Sequence, residues 1–364
     1  MSTMKKLYTY LLLFTFFTLI AEDALAQRSI GQYRGNVRAF NKNRRYWTVG
    51  GSINALNYFG DLAPKNRIAS TDISFTRPGI GIVAERKLGT WYGFRGSFMW
   101  GRLKGDDATS ELEGDDAFRH VRNLHFRNDI KELSAMMVFD LKAHSRTFIT
   151  RPEFVPYLFV GVAVFHHNPK ARVPEFDYVH YDVTNPSEIQ DNDERYGGVS
   201  PDDWIELKPL RTEDKTYSNF AFAIPVGAGV RYKVNRYWNL SFEVSYRQTF
   251  SDYIDDVSNL YRNPEDFGTG PQANLSRIMA YRSNELNIGD IESVEPFRFI
   301  DSGPALHTWN NPLNPQNNTY ERFAGYGLED PFNIRGKDDK DVYLVTSISL
   351  TYILGTNLRN AKFR

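Results

Sequence analysis

Residues Asp341 to Leu354 read DVYLVTSISLTYIL, and apolar side chains recur there at every second position. Val342, Leu344, Ile348, Leu350, Tyr352 and Leu354 share one parity, whereas Tyr343, Ser347, Ser349 and Thr351 fall on the other. Successive side chains of a strand point to opposite faces, so a period of two describes a strand with one apolar and one polar face. The apolar face needs a partner, either a protein core or lipid.

The same alternation returns along the chain. Trp47, Val49, Ile53 and Ala55 stand against Thr48, Ser52 and Asn54; Ile80, Ile82 and Ala84 against Gly79, Gly81 and Glu85. Tyr92, Phe94, Phe98 and Trp100 oppose Gly93, Arg95, Ser97 and Gly101, and Leu133, Ala135, Met137, Phe139 and Leu141 oppose Glu132, Ser134 and Asp140. Tyr157 to Phe165 is apolar on both parities, with Gly161 and Ala163 on the smaller side. Ile224, Val226, Val230 and Tyr232 face away from Gly227, Gly229, Arg231 and Lys233. Trp238 to Tyr246 alternates likewise against Asn239, Ser241, Glu243, Ser245 and Arg247. With the last stretch these predict eight strands. Their apolar faces carry large aromatics near the ends, the placement that two membrane interfaces impose on a barrel.

The connections alternate in length. KLGTW and VNRYW are tight, and KAHSRTFITRPEF is moderate, whereas 59–77, 104–127, 167–217 and 251–340 are long. Short turns on one side and long loops on the other fit an outer-membrane barrel better than a sandwich. An even strand number puts both termini on the short-turn, periplasmic side. The expected fold is therefore all-β: a transmembrane antiparallel β-barrel of eight strands, with short periplasmic turns and long extracellular loops.

The N-terminus agrees with export. Lys5 and Lys6 precede an apolar run from Leu7 to Ala21, and Ala24-Leu25-Ala26 precedes Gln27. That is the layout of a cleaved secretory signal peptide. The expected organisation is a signal peptide at 1–26, a basic periplasmic arm at 27–44, a barrel at 45–354 with its longest loops at 167–217 and 251–340, and a periplasmic tail at 355–364. The chain has no cysteine, which excludes a lipobox anchor. Its formal net charge is zero, which gives no support to nucleic-acid binding. The expected location is the cell outer membrane, among outer-membrane lipid and lipopolysaccharide.

An eight-stranded barrel has an interior just wide enough for side chains to fill. Parity turns Glu85, Glu132, Asp140 and Glu243 inward, together with Arg95, Arg231, Lys233 and Arg247. Four acids facing four bases predict a salt-bridged plug rather than a pore, because buried charges need partners.

Catalytic signatures are lacking. No GxSxG, HExxH or Walker A motif is present, so no catalytic residue and no cofactor are assigned. The His166-His167 pair could ligate a metal but reads better as an interfacial rim. His120, His125, His180 and His307 lie near carboxylates in no diagnostic spacing. Asp191 to Glu194 reads as a solvated acidic loop, because the spacing of a calcium loop is missing. No metal site is assigned.

Charge is distributed unevenly between the two sides. Residues 175–215 hold twelve acids and four bases, and residues 251–340 hold fifteen acids and eight bases. The arm instead carries Arg28, Arg34, Arg38, Lys42, Arg44 and Arg45 with no acid, a candidate docking surface for a partner in the periplasm.

Several stretches are familiar as a set: LNYFGDLAP (56–64), GRLKGDD (101–107), FHHNPKA (165–171), LKPLRTE (207–213) and VNRYWNLSFEVSYRQTFSDYIDDVS (234–258). In order they resemble the PorG-like outer-membrane proteins of the type IX secretion system in Bacteroidota, with Arg211 where a glycine is expected. The resemblance implies a small, non-enzymatic barrel contacting the periplasmic ring proteins of that secretion machine. Two other readings stay open. One is an outer-membrane barrel enzyme, lipid-modifying or proteolytic, with a carboxylate and a histidine meeting at the rim. The other is a passive structural or adhesin-like barrel.

Overall fold

A computed structural model describes residues 45–62, 76–109, 119, 122–144, 147–174, 198–262, 264–282, 306–310, 319–323 and 335–354. The signal peptide, the tail and the arm up to Arg44 lie outside them, as do large parts of the long connections.

Eight long strands form the frame: β1 (Trp47–Phe59), β2 (Arg77–Lys87), β3 (Tyr92–Asp106), β4 (His125–Asp140), β5 (Phe154–His166), β8 (Phe220–Lys233), β9 (Trp238–Thr249) and β12 (Val342–Leu354). Each pairs antiparallel with the next, and β12 pairs with β1, so the sheet closes without a free edge. The register sets the size. The paired series Phe220, His166, Lys131, Trp100, Ile80, Ile53, Ile348, Phe242 and Val230 goes once round the barrel. It starts and ends on β8, and 230 − 220 gives a stagger of ten residues. Eight strands with that stagger tilt by roughly 40° and enclose a backbone radius of roughly 8 Å.

Alternation decides what faces out. Ile53, Ile80, Ile82, Leu133, Val162, Phe222, Phe242 and Ile348 are all exposed on the outer wall. At the short-turn end the outer wall carries Trp47, Trp91, Tyr232, Tyr237, Trp238 and Tyr352. No helix among the described residues is long and apolar enough to cross a membrane; the outward apolar belt belongs to the strands.

The inner wall is fitted by size. Tyr157 and Phe159 of β5 are buried in the lumen, opposite Gly229 and Gly227 of β8. A Cβ at Gly229 would come within 2.7 Å of the Tyr157 ring, and one at Gly227 within 2.5 Å of the Phe159 ring. Two glycines thus make the room that two aromatic rings fill.

The long-loop side differs from the sequence expectation in three ways. First, β3 and β4 run further than the 104–127 loop allowed: Asp106 still pairs with His125. Second, the long connections contain structure of their own. Strand β6 (Pro169–Arg172) pairs with β4 and β7 (Trp204–Glu206) with β6, while β10 (Leu306–Asn310) and β11 (Thr319–Phe323) form a separate hairpin. A helix, α1 (Pro271–Ala280), begins with proline in its first turn, where the missing N–H costs nothing. Third, the inner wall turns apolar toward this end. Leu56, Leu103, Phe126, Ile130, Phe165 and Val345 point inward and pack with Ile254 and Val257 of the connection after β9 and with Leu275, Ile278 and Met279 of α1. Parity places these strand residues inside, yet alternation cannot foretell that a loop returns to cover them. Arg211, where a glycine was expected, has φ +49°, the left-handed region that glycine adopts most easily.

Candidate functional site: a filled lumen and its stapled mouth

Toward the short turns the lumen holds a connected charge network, with a second, separate cluster around Glu132 above it. Glu85 on β2 accepts from Arg95 of β3 (2.8 Å) and Arg231 of β8 (2.8 Å). Arg95 also donates to Glu243 of β9 at 2.7 Å, and Arg231 to Asp140 of β4 at 3.3 Å. Asp140 takes a further bond from Lys87. Higher in the lumen Arg247 bridges to Glu132 at 3.3 Å, and Tyr343 donates to the same carboxylate at 2.6 Å. Tyr157 completes the set with a hydrogen bond to Glu243 at 2.5 Å. Its ring also lies under two guanidinium groups, with Arg95 at 5.4 Å and Arg231 at 4.9 Å.

Five of the eight inward charges named from parity belong to the lower network, and two more, Glu132 and Arg247, form the cluster above it. The eighth, Lys233, joins neither. It is the last residue of β8, level with the turn, and its Nζ donates to the carbonyl of Ile149 at 2.8 Å. Lys87 supplies the fourth base instead, so acids and bases still balance. Its parity with Glu85 was the available signal. What remains between Arg95, Glu132, Glu243, Arg247, Ser52 and Asn54 is a cavity of about 40 Å³. That space holds a few waters and no chain.

At the other end the mouth is closed by side chains from all four long connections. Arg122 donates twice to Asp107, at 2.7 and 2.9 Å, and to the carbonyls of Asp61 (2.7 Å) and Arg335 (2.6 Å). Arg335 pairs with Glu213 at 3.1 Å and with Asp256 at 3.5 Å. Glu213 in turn receives the backbone N–H groups of Ser258 and Asn259. Burial pushes the carboxyls of Asp107, Glu213 and Asp256 up, against the pull of those guanidinium groups.

Beside these pairs lies a carboxylate group of another kind. The Tyr58 hydroxyl contacts Asp255 (2.7 Å) and Asp341. Both acids are buried, and their further partners are backbone N–H groups: Leu62 and Val257 for Asp255, Ile254 for Asp341. Burial raises both carboxyls well above the usual range, with Asp61 pushing Asp255 and Asp255 pushing Asp341 the same way. Asp252 is held at about 7, chiefly by burial, with Asp61 and Asp338 pushing the same way against Ser258 and Lys340. It lines a cavity of about 430 Å³ with Phe220, Phe222, Phe250, Tyr253 and Lys340.

Among the described residues the histidines assemble no metal site. His167 is buried and stacks on Tyr217, which stacks on Tyr253 at 4.7 Å; burial takes its imidazole down to about 4. His166 packs on Phe220, and His125 accepts the backbone N–H of Arg172 at 3.1 Å. His120 and His180 lie outside the described residues, as does the acidic run 191–194. Among the described residues no group of three or more metal-ligating side chains converges. Of the six arm bases only Arg45 is described; Arg28, Arg34, Arg38, Lys42 and Arg44 lie outside.

A family model described as a domain of unknown function, DUF6089, matches residues 37–184. No curated protein matches the chain. Several solved structures resemble it at low identity. OprG of Pseudomonas aeruginosa is 9% identical, with 86% of this chain and 98% of that one aligned at a TM-score of 0.34. Neisserial surface protein A is 9% identical, with 84% and 96% aligned at 0.32. Ail, the attachment invasion locus protein of Yersinia pestis, is 7% identical, with 85% and 97% aligned at 0.30. The barrel itself rests on the closed strand pairing described above.

Proposed function

We propose that this protein is a non-enzymatic outer-membrane barrel that anchors or positions the periplasmic ring of a type IX secretion machine. The observation that carries the reading is the filled lumen inside an apolar outer wall. The outer wall suits lipid, and a core of paired charges leaves no path for cargo. A barrel that passes nothing acts through its surfaces. The resemblance of the ordered stretches to PorG-like proteins supplies the partner, and the basic segment ending at Arg45 supplies a charged surface on the side of the termini.

Two measurements test this. In planar bilayers the purified protein gives no large steady conductance; stable porin-sized channels would show a wet lumen and remove the premise. In cells, a variant with serine at Arg28, Arg34, Arg38, Lys42, Arg44 and Arg45 inserts normally but loses co-purification of the ring proteins. Ring proteins retained at wild-type yield would remove the arm as the docking surface. Normal secretion in a deletion strain would remove the secretion role altogether.

A further inference from the structure

The outer wall is not the same all round. On β8, β9, β12 and β1 it stays uncharged to the strand ends, through Phe220, Phe222, Tyr246, Gln248, Val342, Leu344, Asn57 and Phe59. On β3, β4 and β6 it turns basic one step above the last apolar residues. Lys131 pairs across the ladder with Trp100, and the next outward pairs are Arg102 with Asp129 and Lys104 with Arg127. Arg127 also pairs with Lys170 on β6. Lys104, Arg127 and Lys170 therefore stand directly opposite one another across three adjacent strands.

Like charges facing across a ladder repel. The flanking acids relieve the ends: Asp106 lies 3.0 Å from Lys104, and Glu206 lies 3.4 Å from Lys170. The centre is relieved only in part: Asp129, on the same face between Arg127 and Lys131, spends its hydrogen bonds on Arg102 and acts on Arg127 and Lys170 only at a distance. Arg127 makes no ion pair among the described residues, and its guanidinium sits 4.0 Å over the Trp204 ring, which fixes it in place. Lys131, exposed below it, makes no ion pair among them either. A pinned cationic row directly above an apolar belt is complementary to one chemistry: an anionic headgroup whose acyl chains lie on that belt.

We propose that the outward row Lys104–Arg127–Lys170, with Lys131 beneath it, binds the phosphate groups of an outer-leaflet lipid. The proposal rests on the membrane reading above, and its test separates the two. The full-length protein is folded into neutral phosphatidylcholine vesicles, then moved to neutral detergent. It is titrated with a phosphorylated lipid A and with the same lipid after dephosphorylation, and bound lipid is counted by native mass spectrometry. The wild type retains the phosphorylated lipid preferentially, and millimolar inorganic phosphate does not displace it.

The variant K104Q/R127Q/K170Q loses that preference by roughly a hundredfold, since each base near a lipid surface contributes about one factor of five. The milder Lys131→Gln/Lys170→Gln, which spares the Trp204 stack, loses part of it. Lys142→Gln/Arg236→Gln at the short-turn end changes nothing. Equal binding of both lipids by the wild type, or full preference in the triple variant, overturns the proposal. Displacement by inorganic phosphate makes the row a site for the free ion and equally overturns the lipid assignment. Failure of the wild type to enter vesicles at all overturns the membrane reading instead.

Discussion

The two halves of the lumen solve the problem of burial by opposite means. Toward the short turns, strand side chains alone fill the space, with acids and bases in balance and shared among partners. Toward the long loops the strands turn apolar side chains inward, and the filling comes from returning segments around Ile254, Val257 and α1. The charges there split into paired ones on Arg122 and Arg335 and a group at Tyr58, Asp255 and Asp341 that bonds to no cation among the described residues. A network made by strands is fixed once the barrel closes. A core made by loops opens locally, because its parts are held by side-chain staples instead of a continuous ladder.

The sharpest break in that comparison is Glu85→Leu. Glu85 is shared by Arg95 and Arg231, and its loss leaves one uncompensated positive charge in the lumen. The whole barrel should lose about 3–5 kcal/mol in urea unfolding from vesicles. An unchanged midpoint would mean that water already screens the network.

Arg122→Ala attacks the other half. Local opening of the mouth should become easier by about 2–3 kcal/mol. Hydrogen exchange at Asp107, Leu124 and Gly336 should rise while β2 and β9 keep their protection. A loss spread evenly over the barrel would show that the halves are one cooperative unit.

Glu243→Leu leaves the same single excess positive charge but at a slightly more exposed site and with fewer bonds broken, so it should cost less than Glu85→Leu, about 2 kcal/mol. Arg95 keeps Glu85, and the sacrificed bonds are those to Tyr157 and one guanidinium arm. Equal costs for the two substitutions would contradict the shared-partner geometry.

The smallest effect is the dependence on pH. Asp252 binds its proton with a pKa of about 7 when folded, against an ordinary value of 3.8. Between those values the folded mouth holds more protons than the opened one, so its stability falls as pH rises from about 4 to about 7. The raised carboxyls of Asp255 and Asp341 act in the same direction. Exchange at Ile254 and Val257 should therefore be slower at pH 5 than at pH 8 after correction for the intrinsic rate, with no matching change at the lower network. The opposite trend would mean that the group is ionised when folded.

Legibility in the sequence follows the same division. The strands and their inward faces are read by period because one wall meets an apolar phase and the other does not. Glu85, Arg95 and Glu243 follow from that parity alone. Parity also covers Lys87, the last residue of β2, which shares its face with Glu85. It misplaces Lys233: beyond the last pleat, nearby carbonyls decide the contact. The mouth was illegible. Asp255, Glu213 and Arg335 lie far apart in long polar connections, and no spacing there announces that they meet.

Tyr58 lies on the first strand, and Asp341 immediately precedes the last, so their contact crosses the seam where the chain closes on itself. That contact cannot exist in a nascent sheet whose ends are still apart. The carbonyl of Arg335, only a few residues earlier, accepts Arg122 of the β3–β4 connection across the same seam, whereas its pairs with Asp256 and Glu213 need only β12 beside β9. The lid is therefore a latch set by the last act of assembly. During refolding, protection at Leu62, whose N–H reaches Asp255 across that seam, should appear together with heat-resistant migration and never ahead of it.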